Sequence, residues 1–171
     1  MVALLALCVQ LIALRAPLGN DDLPRRLLLV SSYLLLLTFV AFNITRIGIA
    51  VIGAGLLLNF IAILANGGLM AITPETILKS GTLPDDAVVG EWLPGSKDIL
   101  LERADVHLWF LTDRLVWDGI SSVFRAFSIG DVIIVVGLAL TLLDILLPRW
   151  GTVPEETGPA SVRHQGEAEL P

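Results

Sequence analysis

The sequence predicts an all-α fold, a polytopic helical membrane protein with about four transmembrane helices, and three observations point there. Hydrophobic residues make up 55% of the 171, and the mean hydropathy of +0.81 exceeds what soluble domains show. The apolar residues are also segregated: apolar runs sit in residues 1–65 and return from Val132 to Leu147, while charges crowd between these runs and into the tail. Several runs approach the roughly 20 residues a helix needs to cross a hydrocarbon core of about 30 Å. The expected organisation is a transmembrane helical domain over 1–150, with spans near 1–18, 27–43, 47–65 and 131–147. A short-helix and loop cap would occupy 66–130, and a disordered polar tail 151–171.

The first run, Met1–Leu14, is short. At 1.5 Å per residue it reaches about 21 Å, so Ala16–Leu18 would have to finish the crossing, or the run is the back half of a longer element. A signal peptide is the competing reading, opposed by the lack of a basic residue ahead of the run. Cys8 is the lone cysteine, which excludes an intrachain disulfide or a cysteine-built metal site. Leu7 before it is too large for a lipobox. The second run, Leu27–Phe42, follows Arg25 and Arg26, whose side chains are expected to snorkel to the interface. Ile47–Ala65 carries no charge. Val132–Leu147 ends at Pro148-Arg149-Trp150, a helix stop, a cation and an interfacial aromatic.

Within the cap, "TPETILKSG" predicts a short helix: Thr73 is the cap, Pro74 takes the first turn, Glu75 meets the dipole and Gly81 ends it. "LPDDAVVGEWLPGSKD" is turn-rich and reads as a loop with little structure of its own. "VHLWFLTDRLVWDGI" puts Leu108, Leu111, Leu115, Trp109 and Val116 on one helical face and Asp113 and Arg114 on another. With Trp117 it suits a helix lying in the membrane interface or packed on the bundle. The tail from Gly151 is rich in Pro, Gly and Glu, the composition of disorder.

The net charge of -6 lies outside the apolar runs and argues against a nucleic-acid partner, which would want a basic face. The expected partners are the lipid bilayer and a membrane protein or a second copy in a homo-oligomer. Arg15, Arg25 and Arg26 flank the first loop and only Arg46 the second, so the positive-inside rule puts the first loop and the cap in the cytoplasm. The tail, with Arg149 and Arg163, would face out.

Gly48, Ile52, Gly55, Asn59, Ala62 and Asn66 recur at steps of four and three and share one helical stripe. Small residues let a neighbouring backbone approach and a carboxamide can bond across the seam, so Asn59 must face protein or water-filled space. Two readings follow: interhelical glue, or a polar pocket shared by Asn59 and Asn66. Asn66-Gly67-Gly68 is explained by helix termination at positive φ, with an anion-holding nest of backbone amides as the rival. Ser128, in "FSIGD" with Gly130, forms a capping box with Asp131, against a proton or cation site at Asp131. Asp144 shares a stripe with Gly137 and Thr141; an ionisable group in a span suggests function, but it lies one turn from Pro148 and could instead reach headgroup water or pair with Arg149.

"LLNFIAILANGGLMAITPETILKSG" resembles the N-G-G-x-M-P core of a bacterial integral membrane family of unknown function, and "LTDRLVWDGI" with "FSIGDVIIVVG" resembles its second block. The similarity covers about Leu27 to Gly137, with the long loop poorly matched. Ala71 stands where that family usually has proline, which leaves the backbone after Met70 less rigid. The family tends to begin with a further helix, which would make Met1 a late start. The resemblance marks Asn59, Asn66, Gly67, Gly68, Ser128, Gly130 and Asp131, and implies a multi-pass protein of the bacterial plasma membrane without an assigned activity.

No recognisable catalytic motif is present: no His-Glu-x-x-His, no Gly-x-Ser-x-Gly, no phosphate-binding loop with lysine. His107 lies near Asp105 and Asp113 in sequence, but a single histidine at an interface is more often solvated than metal-bound. No metal or cofactor is expected. Three functions remain: a scaffold or accessory subunit, a small transporter-like module with a polar pocket at Asn59, Asn66 and Asp131, and an interfacial lipid-active enzyme using His107, Asp118 and Asp131.

Overall fold

The computed structural model describes residues 2–16, 22–81, 87–116 and 126–147. The first helix, α1 (Val2–Arg15), antiparallels α2 (Leu23–Asn43), and a tight turn leads into α3 (Ile47–Ala65). After the cap, α5 (Ile129–Leu146) returns along α3. The chain is mostly helical, and α2, α3 and α5 are long and apolar enough to span a membrane. At 14 residues α1 is shorter. Leucines, isoleucines and valines stand outward along α1 and α5, as suits a lipid solvent.

Small residues set the α3–α5 packing. A Cβ added at Gly130 would sit 2.8 Å from the Gly55 carbonyl oxygen, and one at Gly137 would sit 2.8 Å from that of Gly48. Both contacts are too close for any side chain, so the two backbones touch directly along the seam. Leu29, Tyr33, Val40, Leu56, Ile63 and Leu69 fill the core between α2, α3 and the cap, with the Tyr33 and Phe60 rings stacked at 6.0 Å.

The cap is more ordered than its sequence suggests. Strand β1 (Met70–Ile72) is followed by α4 (Pro74–Ser80), which has the expected ends: Thr73 Oγ1 accepts from the Thr76 amide at 3.4 Å and Gly81 is left-handed. Strand β2 (Asp98–Leu100) pairs parallel with β1, Met70 opposite Asp98. Part of the stretch expected to be unstructured, Trp92 through Asp98, folds back on β2 as a hairpin, with Trp92 opposite Ile99 and the Leu93 amide bonded to the Asp98 carbonyl at 2.9 Å. The positive φ of Gly95, 78°, lets it turn.

Two further expectations need correction. The segment from Val106 to Val116 is not an amphipathic helix. It makes one 3-10 turn at Trp109–Leu111 and then β3 (Leu115–Val116), which pairs antiparallel with β4 (Ala126–Phe127). Its helical periodicity is overridden by a partner distant in sequence: the Asn66 side chain grips the His107 backbone at both ends, and Asp113 bridges to Ile72. Nor does Arg25 snorkel. It is 3% exposed, donates from Nε to the Ala13 carbonyl at 3.1 Å, and lies 3.4 Å over the Trp92 ring. It thereby satisfies open carbonyls at the end of α1. The expected features at Trp117, Asp118, Pro148, Arg149, Trp150, Arg163, the end of the first span at Leu18 and the 151–171 tail lie outside the described residues.

Candidate functional site

Local chemistry brings α3 to an end and aims the cap. Beyond Ala65, the Gly68 amide bonds to the Ile63 carbonyl at 2.8 Å and the Gly67 amide to that of Leu64 at 3.2 Å, a Schellman motif. Gly67 and Gly68 have φ of 76° and 98°, and the Gly67 carbonyl accepts from Arg26 Nη1 at 2.7 Å. Both glycine amides are thus engaged inside the helix terminus, which leaves the anion-nest reading without donors. Asn66 donates from Nδ2 to the Ala62 carbonyl at 2.8 Å and the His107 carbonyl at 3.0 Å, while its Oδ1 accepts from the His107 amide at 2.9 Å. Asn66 therefore pins the cap loop.

Asn59 has another task. It is fully buried, donates from Nδ2 to Asp131 Oδ1 at 2.7 Å and accepts at Oδ1 from Ser128 Oγ at 2.7 Å. Ser128 and Asp131 complete the capping box of α5: the Asp131 amide donates to Ser128 Oγ and the Ser128 amide to Asp131 Oδ2, each at 3.0 Å. Gly130 has no side chain because the Asn59 carboxamide lies where one would stand. So Asn59, Ser128, Gly130 and Asp131 meet, and Asn66 does not join them.

The gathering extends into the cap through Asp113 and through Lys97 and Asp98, which the sequence did not single out. Since β1 leaves directly from Gly68, its pairing with β2 carries Lys97 to the bundle, the Met70 amide bonding to the Lys97 carbonyl at 3.0 Å. Lys97 Nζ lies 2.7 Å from Asp113 Oδ2 and 3.7 Å from Asp131 Oδ2. Burial favours the neutral amine, but Asp113, Asp131 and Asp98 outweigh it and hold the Lys97 pKa well above its usual value. Burial dominates for the carboxyls and raises Asp98, with Lys97 opposing it. It pushes Asp113 up to about 8, again against Lys97. The signal that could have found this group was "SKD", a charged pair beside a turn.

At the other end of the bundle Asp144 accepts from Arg46 Nη1 at 3.2 Å, a partner from the α2–α3 turn; a pairing with Arg149 falls outside the described residues. His107 is exposed, and among the described residues no group of three or more His, Cys, Asp or Glu is arranged to hold a metal ion.

A family model described as a family of unknown function, DUF5317, matches residues 1–143. The chain belongs to this family. The match takes in α1 to α4, the cap and α5 as far as Leu143, so the Asn59 gathering and the Lys97 cluster both fall within DUF5317. No curated protein and no solved structure matches the chain.

Proposed function

We propose that this DUF5317 member is a multi-pass protein of the bacterial plasma membrane that acts as a scaffold or accessory subunit, its four-span bundle presenting a rigid cytoplasmic cap. The observation that carries the reading is saturation. Both ends of the Asn59 carboxamide, both ends of Asn66 and both oxygens of Asp131 are engaged by protein groups. A substrate pocket keeps polar groups waiting for a ligand, whereas these groups join helices to each other and to the cap. Arg25 and Arg26 lie at the cap end and Arg46 at the other, which supports a cytoplasmic cap. The partner is a membrane protein or a second copy. Crosslinking in membranes followed by purification in mild detergent is expected to recover a stoichiometric assembly; a clean monomer contradicts the reading.

One observation favours a second reading, a small transporter-like module. Ionisable groups run without a break from Asp113 through Lys97 to Asp131 at the mouth of α5. On that reading Asn59→Ala abolishes an ion flux in proteoliposomes at unchanged expression. Loss of folding instead returns Asn59 to a joining role.

A further inference from the structure

Among the described residues three buried side-chain atoms have no hydrogen-bond partner, Asp98 Oδ1, Asp113 Oδ1 and Arg114 Nε, and two of the three are carboxyl oxygens. Asp113 has a side chain only 2% exposed; its Oδ2 accepts from Lys97, and its Oδ1 has no hydrogen-bond partner. Asp98 Oδ1, also buried, has none. Both carboxyl groups face the Lys97 ammonium, which lies 2.7 Å from Asp113 Oδ2, and each acts on that cation's charge. As two ions they could only accept, which would leave two bare oxygens and two like charges together in a poorly solvated place. The local charge points the same way: the one ammonium of Lys97 faces three carboxylates, Asp98, Asp113 and Asp131.

We propose that Asp98 and Asp113 form a proton-binding site, an acid–carboxylate pair that holds one shared proton at neutral pH where the cap meets the bundle. The proton comes from water and returns to it; while bound, it supplies the missing donor and cancels one of the two like charges. Charged and polar groups face the pair from several elements, and Arg114, next to Asp113, stacks over the Trp109 ring at 4.6 Å. Lys97 and Ser96 face the pair from the β2 hairpin, Asp131 from α5 and Tyr33 from α2, with Asn59 of α3 and Ser128 of α5 behind them. No histidine is among them, so the proton belongs to the carboxyls. The upward displacement of Asp113, to about 8, sets the range: the site is filled below it and empties as pH rises through it. The site is independent of the choice between scaffold and transporter, since either could contain it.

Infrared spectroscopy of the full chain in lipid nanodiscs tests this. The expected result is a protonated-carboxyl C=O stretch at neutral pH that shifts in heavy water and disappears as the pH is raised through about 8. Asp113→Asn and Asp98→Asn should each remove it, and Glu75→Gln, on the exposed face of α4, should leave it. Absence of the band from the unsubstituted protein at neutral pH, or its survival in both aspartate variants, overturns the proposal. So does a band that sodium chloride removes at constant pH while choline chloride does not, because the site would then take a metal cation. The titration of the unsubstituted protein needs no variant to fold.

Discussion

At the cap end of the bundle, Asn59, Ser128, Asp131, Lys97 and Asp113 connect through contacts of 2.7–3.7 Å, and three of the five residues are less than 4% exposed. At the opposite end, Arg46 and Asp144 meet at 3.2 Å with 67% and 38% of their side chains exposed. The distances overlap, and the energetics should not. An exposed pair is screened and contributes about 0–1 kcal/mol, whereas removing one partner of a buried pair strands a charge, at a cost of about 3–5 kcal/mol. Burial, more than distance, decides which end holds the molecule together.

Substitutions at the two ends should therefore separate by size. Lys97→Ala should be the most damaging, lowering stability in detergent by about 3–5 kcal/mol by leaving Asp113 and Asp131 without their cation; a loss below about 1 kcal/mol would erase the contrast between the ends. Gly130→Leu forces a side chain between Asn59 and the Gly55 backbone, and should cost about 1–3 kcal/mol or more by overpacking, read as a lower thermal midpoint. Asn59→Ala should cost about 0.6–2 kcal/mol. Arg46→Ala, at the exposed end, should change stability by less than about 1 kcal/mol, and added salt should shrink even that. A thermal melt series of the four variants ranks them directly.

What the sequence made legible was whatever depends on neighbours along the chain. The four-and-three spacing of Gly48, Gly55, Asn59 and Ala62 names the face of α3 that packs on α5, because helical geometry alone puts those residues together. Both ends of α4 and the start of α5 follow from Thr73, Gly81, Ser128 and Asp131 for the same reason. What stayed hidden depends on partners far away in the chain. Met70 pairs with Asp98 and Ile72 with Asp113, and no local signal announces either. Lys97 and Asp98 look like ordinary turn residues until β1 carries them inward. Arg25 has the composition of an interfacial anchor and becomes a buried clamp only because α1 ends beside it. Asn59 and Asn66 share one helical face, yet the first bonds to α5 and the second to the loop at His107.

The central claim is that cap and bundle form one unit through Asp131, which Asn59 approaches from α3 and Lys97 from the β2 hairpin. A double-mutant cycle between Asn59→Ala and Lys97→Ala, read by thermal stability in nanodiscs, tests it most directly. Residues in one network should show a coupling of about 0.5–3 kcal/mol. Losses that simply add, within about 0.3–0.5 kcal/mol, would mean that the cap rests on the helices without being joined to them there.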